Sequence, residues 1–325
     1  MKLLSSISTA LVLALGVAGA AAQDYPTKPI RIVVPFAAGG STDTTARIMG
    51  EGMSKVLGQP VVIENKPGGL GIIAIEEMAR SAPDGYTLMM GSGMVNGATV
   101  AIHPDKFSID YENDVRVVAR VADVPAVYVA TAQNFPPNNI EEFRAYAKAN
   151  PGKVRYCSTG VGSALHIEMA IFMKTEGLDL VHVPYADGNT APDLINGDLH
   201  FCSLNIIQGL PLIRDGKIKP IAITTDERHP ELPDVPTMKE IGHPALSANY
   251  WGALYAPAET PQEIVEKLFE AVNKAHELPE IREKFLANQM IPVASNTLDE
   301  AKAWNQGELE RWQKNYADSE IELPN

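Results

Sequence analysis

Short apolar runs alternate with helix-spaced segments along most of the chain, and that alternation limits the fold more than any other feature. Residues 30–35 (Ile-Arg-Ile-Val-Val-Pro) form a nearly continuous apolar run, the pattern of a strand buried on both faces. Residues 41–57 then carry helical spacing, 61–64 read as a second strand, and Pro67-Gly68-Gly69-Leu70-Gly71 turns into a helix ending near Arg80. The turn Ala82-Pro83-Asp84-Gly85 precedes a strand at 86–90. Further strands are predicted at 127–131, 154–158, 181–185, 199–203 and 220–225, with helices such as 140–149 and 166–176 between them. Helices at 261–275, where Ile264, Leu268 and Val272 share a face, and at 298–316, carrying Trp304 and Trp312, form the C-terminal part. Strands alternating with helices predict crossover units, hence an α/β protein with mostly parallel sheets flanked by helices. So many strands exceed one sheet and predict two lobes. Crossings at 122–125 and around 249–251 divide the chain into a first lobe of 23–124 plus 252–325 and a second lobe of 125–251. Ligands of such sheets sit beyond the carboxyl ends of the strands, so the site is expected in the cleft between lobes.

The first 22 residues read as a separate object. Lys2 gives a positive start, residues 11–17 are apolar, and Ala18-Gly19-Ala20-Ala21-Ala22 offers A-x-A cleavage sites. This is the pattern of a secretory signal peptide, and it predicts a periplasmic protein. No later segment reaches the roughly 18 uninterrupted apolar residues of a membrane span. An exported chain has no ready supply of ATP or NAD(P)H, so no cofactor is expected. The formal charge of −13, with no run of basic residues, argues against nucleic acid as a partner. The two cysteines, Cys157 and Cys202, are too few for a disulfide scaffold or a four-thiolate zinc site. Both fall near carboxyl ends of second-lobe strands. They are expected as two small buried core residues, with a disulfide as the alternative should those strands be neighbours.

Two turns carry the binding chemistry. Phe36, Ala37, Ala38, Gly39, Gly40, Ser41, Thr42 and Asp43 follow the first strand and open a helix. Glycines there allow close approach of a ligand to the main chain, and the exposed N–H groups of the helix start attract an anion. Asp43 is expected to cap the helix and not to touch ligand. Ser158, Thr159, Gly160, Val161, Gly162, Ser163 and His166 occupy the equivalent place in the second lobe, and His166 reads first as a residue packing the helix start. Two such loops would clamp the ends of an anion. Ser92 and Asn205 complete the candidate contacts. Gly69-Leu70-Gly71-Ile72-Ile73-Ala74 matches a dinucleotide fingerprint, but Met89-Met90-Gly91 stands where the ribose-reading acid belongs. There is no G-x-S-x-G or H-E-x-x-H, and His166-Ile167-Glu168 lacks the C-x-x-C of zinc deaminases. No metal site and no catalytic set is expected.

At the level of ordered motifs the chain resembles the solute-binding proteins of tripartite tricarboxylate transporters, the Bug receptors. The resemblance rests on Tyr25-Pro26-Thr27-Lys28-Pro29-Ile30 with Val34-Pro35-Phe36, Gly39-Gly40 and Asp43, then Gly58-Gln59-Pro60 through Pro67-Gly68. Ala82-Pro83-Asp84-Gly85-Tyr86, Pro151-Gly152-Lys153, Gly160-Val161-Gly162-Ser163 with His166, His182-Val183-Pro184-Tyr185 and Leu232-Pro233-Asp234-Val235-Pro236-Thr237 continue it. It implies a two-lobed periplasmic-binding-protein (Venus flytrap) fold, a small carboxylate held largely by main-chain amides, and delivery to membrane permease subunits, with the receptor acting as a monomer. Three positions depart from the family pattern. Ala186-Asp187-Gly188-Asn189 replaces a basic residue followed by glycine, Leu204 replaces an aspartate, and Ile72 replaces an asparagine. An acid gained at the pocket edge predicts a ligand with one carboxylate and a neutral, hydroxyl or cationic far end, although Asp187 reads equally as a solvated turn residue. Two other functions fit the same cleft: an exported hydrolase using Ser163 or His166, and a receptor that signals to a kinase.

Overall fold

The computed structural model describes residues 25–185, 189–246 and 250–323. The expected signal peptide and Asp187 lie outside these residues. The strands are β1 (Ile30–Val34), β2 (Val61–Asn65), β3 (Thr87–Ser92), β4 (Val115–Val124), β5 (Ala126–Thr131), β6 (Val154–Ser158), β7 (Leu180–Pro184), β8 (Phe201–Asn205), β9 (Ile218–Ile223), β10 (Tyr250–Pro257) and β11 (Ile291–Pro292). The main helices are α1 (Ser41–Leu57), α2 (Ile72–Ala79), α3 (Ile140–Ala149), α4 (Ala164–Glu176), α5 (Ala191–Asn196), α6 (Ile206–Arg214), α7 (Gln262–Glu277), α8 (Pro279–Ala287) and α9 (Leu298–Ser319).

Two sheets form, in the orders β11-β4-β10-β3-β1-β2 and β7-β6-β8-β5-β9. Each is the centre of one lobe, and the two-lobed α/β expectation holds. The expected predominance of parallel pairing does not. β1 is parallel to β2 and β3, and β6 to β7 and β8, because helices α1, α2 and α4 carry the chain back across the sheet. β10 is antiparallel to β3 and β4, and β5 to β8 and β9. The antiparallel part belongs to the strands that join the lobes. β4 runs out of the first sheet, Pro125 interrupts it, and β5 continues into the second; β10 returns beside β4, with Tyr250 opposite Val124. A strand entering from the neighbouring lobe has no crossover helix to reverse it.

Packing follows the apolar spacing. On α7, Ile264, Val265, Leu268, Ala271, Val272 and Ala275 are buried on one face. Gly52 lets α1 lie close to α7, since a Cβ there would stand 2.7 Å from that of Ala275. The second lobe has its own core around Tyr128, Phe143, Tyr156, Phe172 and Phe201. A smaller cluster joins the lobes. Ala98 and Ile102 from the first lobe meet Ala164 and Ile167 of α4 against Trp312 of α9, with Ile321 and Leu323 packed on it. The last helix therefore bears on both lobes. No helix of the described residues is long and apolar enough to cross a membrane.

Candidate ligand-binding site

A cavity of about 480 Å³ opens between the lobes at the carboxyl ends of β1, β3, β6 and β8. Its first wall is the turn after β1. Asp43 holds this turn in shape: its carboxylate accepts from the Gly39 N–H (2.8 Å), from Asn65 Nδ2 (2.9 Å) and from Arg47 Nε (2.9 Å). Asn65 also donates to the Phe36 carbonyl at 2.9 Å. Burial alone would raise the Asp43 carboxyl, but the bonds from Arg47, Gly39 and Asn65 outweigh it and keep the pKa below the ordinary carboxylate value. Asp43 does not line the cavity, but it is not the helix cap expected of it either: its carboxylate reaches back to the Gly39 N–H and is spent on the turn.

The turn leaves α1 beginning at Gly40 with extended backbone and no side chain capping it. The first N–H groups of a helix have no partner within it, and here nothing from a side chain closes them. Ser41, Thr42 and Thr45 stand at this end, and Ser92 at the end of β3.

The second wall is built differently. Ser158, fully buried at the end of β6, accepts the Gly160 N–H at 3.0 Å and lies 2.6 Å from His182 Nε2. The His182 ring stacks on that of His166, with centroids 4.0 Å apart. Burial, and then the neighbouring His166, push the His182 pKa down to about 4; burial lowers that of His166. Both rings are neutral near pH 7, which leaves His166 Nδ1 free to accept the Gly162 N–H at 3.0 Å. Ser163 Oγ accepts the His166 N–H and caps α4. This turn is bonded to itself.

The cysteines depart from the expectation. Cys157 of β6 and Cys202 of β8 are not two separate core residues: they form a disulfide across these paired strands, with Cα atoms 5.2 Å apart, and both line the cavity. No described lining residue is charged. Among the described residues no group of acids, histidines and cysteines is placed to hold a metal ion.

A cavity between two mixed α/β lobes, with an uncapped helix end on an uncharged wall, is a place to hold a small anion. The family model for the tripartite tricarboxylate transporter family receptor matches residues 45–318. The chain belongs to that family. The receptor is 34% identical to the protein BugT of Bordetella pertussis over 315 residues, 96% of this chain and 95% of that one. Its fold is similar to that of the periplasmic binding protein BugD, with a TM-score of 0.80 and 30% identity over 92% of this chain and 99% of BugD. It is also similar to MatC from Rhodopseudomonas palustris with bound malate, with a TM-score of 0.79 and 32% identity over 90% and 100% of the two chains.

In this receptor Phe36, Ala37, Ala38, Gly39, Ser41, Thr42, Ser92, Ser158, Thr159 and Asn205 line the cavity. Gly162, Ser163 and His166 do not; they hold the second turn and the start of α4, as the bonds above describe. Several lining residues are not legible as such in the sequence. Tyr250, Trp251 and Gly252 enter from the returning strand, and the only signal for them is their place at a lobe crossing. Gln208 follows Asn205 by one helical turn, and Ser203 and Thr190 reach the wall only through the arrangement of β8 and α5.

Proposed function

We propose that the protein captures a small carboxylate between its lobes in the periplasm, as a monomer, and presents the closed form to the permease subunits of a tripartite tricarboxylate-type transporter. The observation that carries the reading is the open N-terminus of α1 at an uncharged cavity: unclaimed N–H groups and the positive end of a helix suit one carboxylate. The malate held by MatC supports the same ligand class. The lobes are 23–124 with 252–325, and 125–251, and they close about the two strands that join them. The candidate contacts of the first turn, with Ser92, Ser158, Thr159 and Asn205, are the binding set.

One observation favours hydrolysis instead: Ser158 and His182 form a serine–histidine pair of 2.6 Å at the cavity. A general base is tuned toward the working pH, whereas burial and His166 drive His182 to about 4. Among the described residues no carboxylate is bonded to His182, so the third member of a triad is missing. Ser163, the other candidate nucleophile, is committed to its helix cap. The reading is therefore a receptor without a catalytic step.

A thermal-shift screen of protein unfolded and refolded to remove carried-over ligand tests this. A carboxylate at a hundredfold over its Kd stabilises by about 2.7 kcal/mol, a rise of roughly 5–11 °C in Tm. Turnover of candidate esters, lost in Ser158→Ala, would move the assignment to the hydrolase.

A further inference from the structure

The two walls of the cavity differ in how many backbone donors they leave open, and that difference restricts the ligand. On the first-lobe wall, α1 is seventeen residues long and begins without a side-chain cap. On the second-lobe wall, the helix starts are partly occupied by groups of the protein itself. At α6 the Gln208 N–H is taken by Asn205 Oδ1 (3.1 Å) and the Ile206 N–H by the Pro125 carbonyl (2.8 Å). At α4 the His166 N–H is taken by Ser163. α5 has only six residues and a proline in its first turn, whose nitrogen carries no hydrogen. Among the described residues no lysine, arginine or histidine lines the cavity, and the sequence of the neighbouring residues 186–188 and 247–249 contains none.

What the second wall does offer is apolar surface, hydroxyls and the neutral side-chain amides of Asn189, Asn205 and Gln208. The Cys157–Cys202 disulfide, Leu165 and Leu204 line it. Ser203 Oγ is buried there without a hydrogen bond of normal geometry, and it faces the Tyr250 hydroxyl. Each hydroxyl both donates and accepts, so the pair suits an uncharged oxygen. A second carboxylate against this wall would lose its water, gain no cation and meet only helix ends already partly claimed.

We infer, resting on the carboxylate reading above, that the ligand carries its charge at one end only, with a carboxylate at the start of α1 and an uncharged hydroxyl end against Ser203 and Tyr250. Ser203 and Tyr250 are then the residues that set specificity against diacids.

Calorimetric titration of refolded protein with length-matched pairs tests this: succinate with 4-hydroxybutanoate, adipate with 6-hydroxyhexanoate, and terephthalate with 4-hydroxybenzoate. The hydroxy acid is expected to bind at least tenfold more tightly than its diacid in the pair that fits the cavity. Ser203→Ala, and separately Tyr250→Phe, should shrink that ratio at least threefold. Diacids binding as tightly or more tightly in every pair that binds, or ratios unmoved by both variants, overturn the inference and leave the carboxylate receptor standing. If no member of any pair binds, the carboxylate reading itself fails, and this inference with it.

Discussion

The turns at 36–43 and 158–163 each carry a strand into a helix through glycines and hydroxyl residues, at matching places in the two lobes. The first is held from behind. Asp43, Asn65 and Arg47 tie it down on the side away from the cavity, and the start of α1 is left open. The second is held from within, with Ser158 on Gly160, His166 on Gly162 and Ser163 on the first turn of α4. Composition does not make an anion site. A helix start attracts a ligand through its unclaimed donors, and a capping side chain takes one of the four and competes for the site.

The largest effect is expected where the second turn is anchored. Cys157→Ala with Cys202→Ala removes a cross-link between residues 45 apart in sequence. The chain-entropy relation gives about 4 kcal/mol for a loop of that size, measurable by urea denaturation. Unchanged stability would mean that the packing of β6 and β8 alone holds the second wall.

Next in size is a substitution that makes the first turn resemble the second. Gly40→Asp places a capping acid at the start of α1, where the backbone is already extended and a Cβ meets only the Ala37 carbonyl at an ordinary 3.7 Å. The unliganded protein should be as stable or slightly more stable. Affinity for carboxylates should fall tenfold or more, about 1.4 kcal/mol, through competition for the same N–H groups and repulsion between like charges. Retained affinity would place the carboxylate elsewhere. The reciprocal change, Ser163→Ala, opens the second turn. It should lower stability by about 1 kcal/mol while leaving carboxylate affinity within twofold. A tenfold loss of affinity would show that the second turn binds ligand directly, which would make the two turns equivalent.

The smallest effect concerns pH. His182 is held near 4 against an ordinary value of 6.5, so below pH 6.5 the unfolded chain takes up a proton that the native chain refuses. Stability is therefore fully present above 6.5 and falls as pH drops toward 4. The loss is under about 1 kcal/mol at pH 6. Burial raises Glu168 to about 7, which tilts stability the other way: it is highest below 4.5 and falls as pH rises to 7. The difference between the wild type and His182→Gln isolates the histidine, and the variant should lose less stability on going from pH 7 to pH 6. Equal losses would mean that His182 does not govern the acid side of the curve.

Several features are legible in the residue pattern alone. The parallel strands β1, β2, β3 and β6 stand close to where apolar runs place them; β1, β3 and β6 are mostly buried, as nearly apolar strands should be, whereas β2 is the half-exposed edge of its sheet. Helix α1 spans 41–57 as the spacing predicts, and Gly58 closes it in the left-handed conformation of a helix C-cap. Of the joining strands, β5 stands where its apolar run puts it, but β4 and β10 are not legible in this way. β4 carries Arg116, Arg120 and Asp123, and β10 carries a glycine and three aromatic residues, so neither shows a clean period. The charges of Arg120 and Asp123 answer each other directly, at 2.5 Å, and so need no regular place on an exposed face.

The candidate site divides along the same line. Phe36 to Thr42 can be found because a glycine-rich turn between strand and helix is a local object, decided by backbone angles within a few residues. Asn205 and Ser163 are N-caps, a local role too, although both are expected from the sequence only as ligand contacts. What the sequence by itself determined is this local layer: which segments extend, which coil, and where helix starts fall. Only the tertiary structure decided that Cys157 meets Cys202, that Tyr250 and Ser203 share a wall, and that the Gly162 N–H turns to His166 instead of the cavity. Those outcomes depend on contacts between groups distant in the chain or on competition for a single donor. Neither the spacing of residues nor their type settles which partner lies nearer once the lobes have packed.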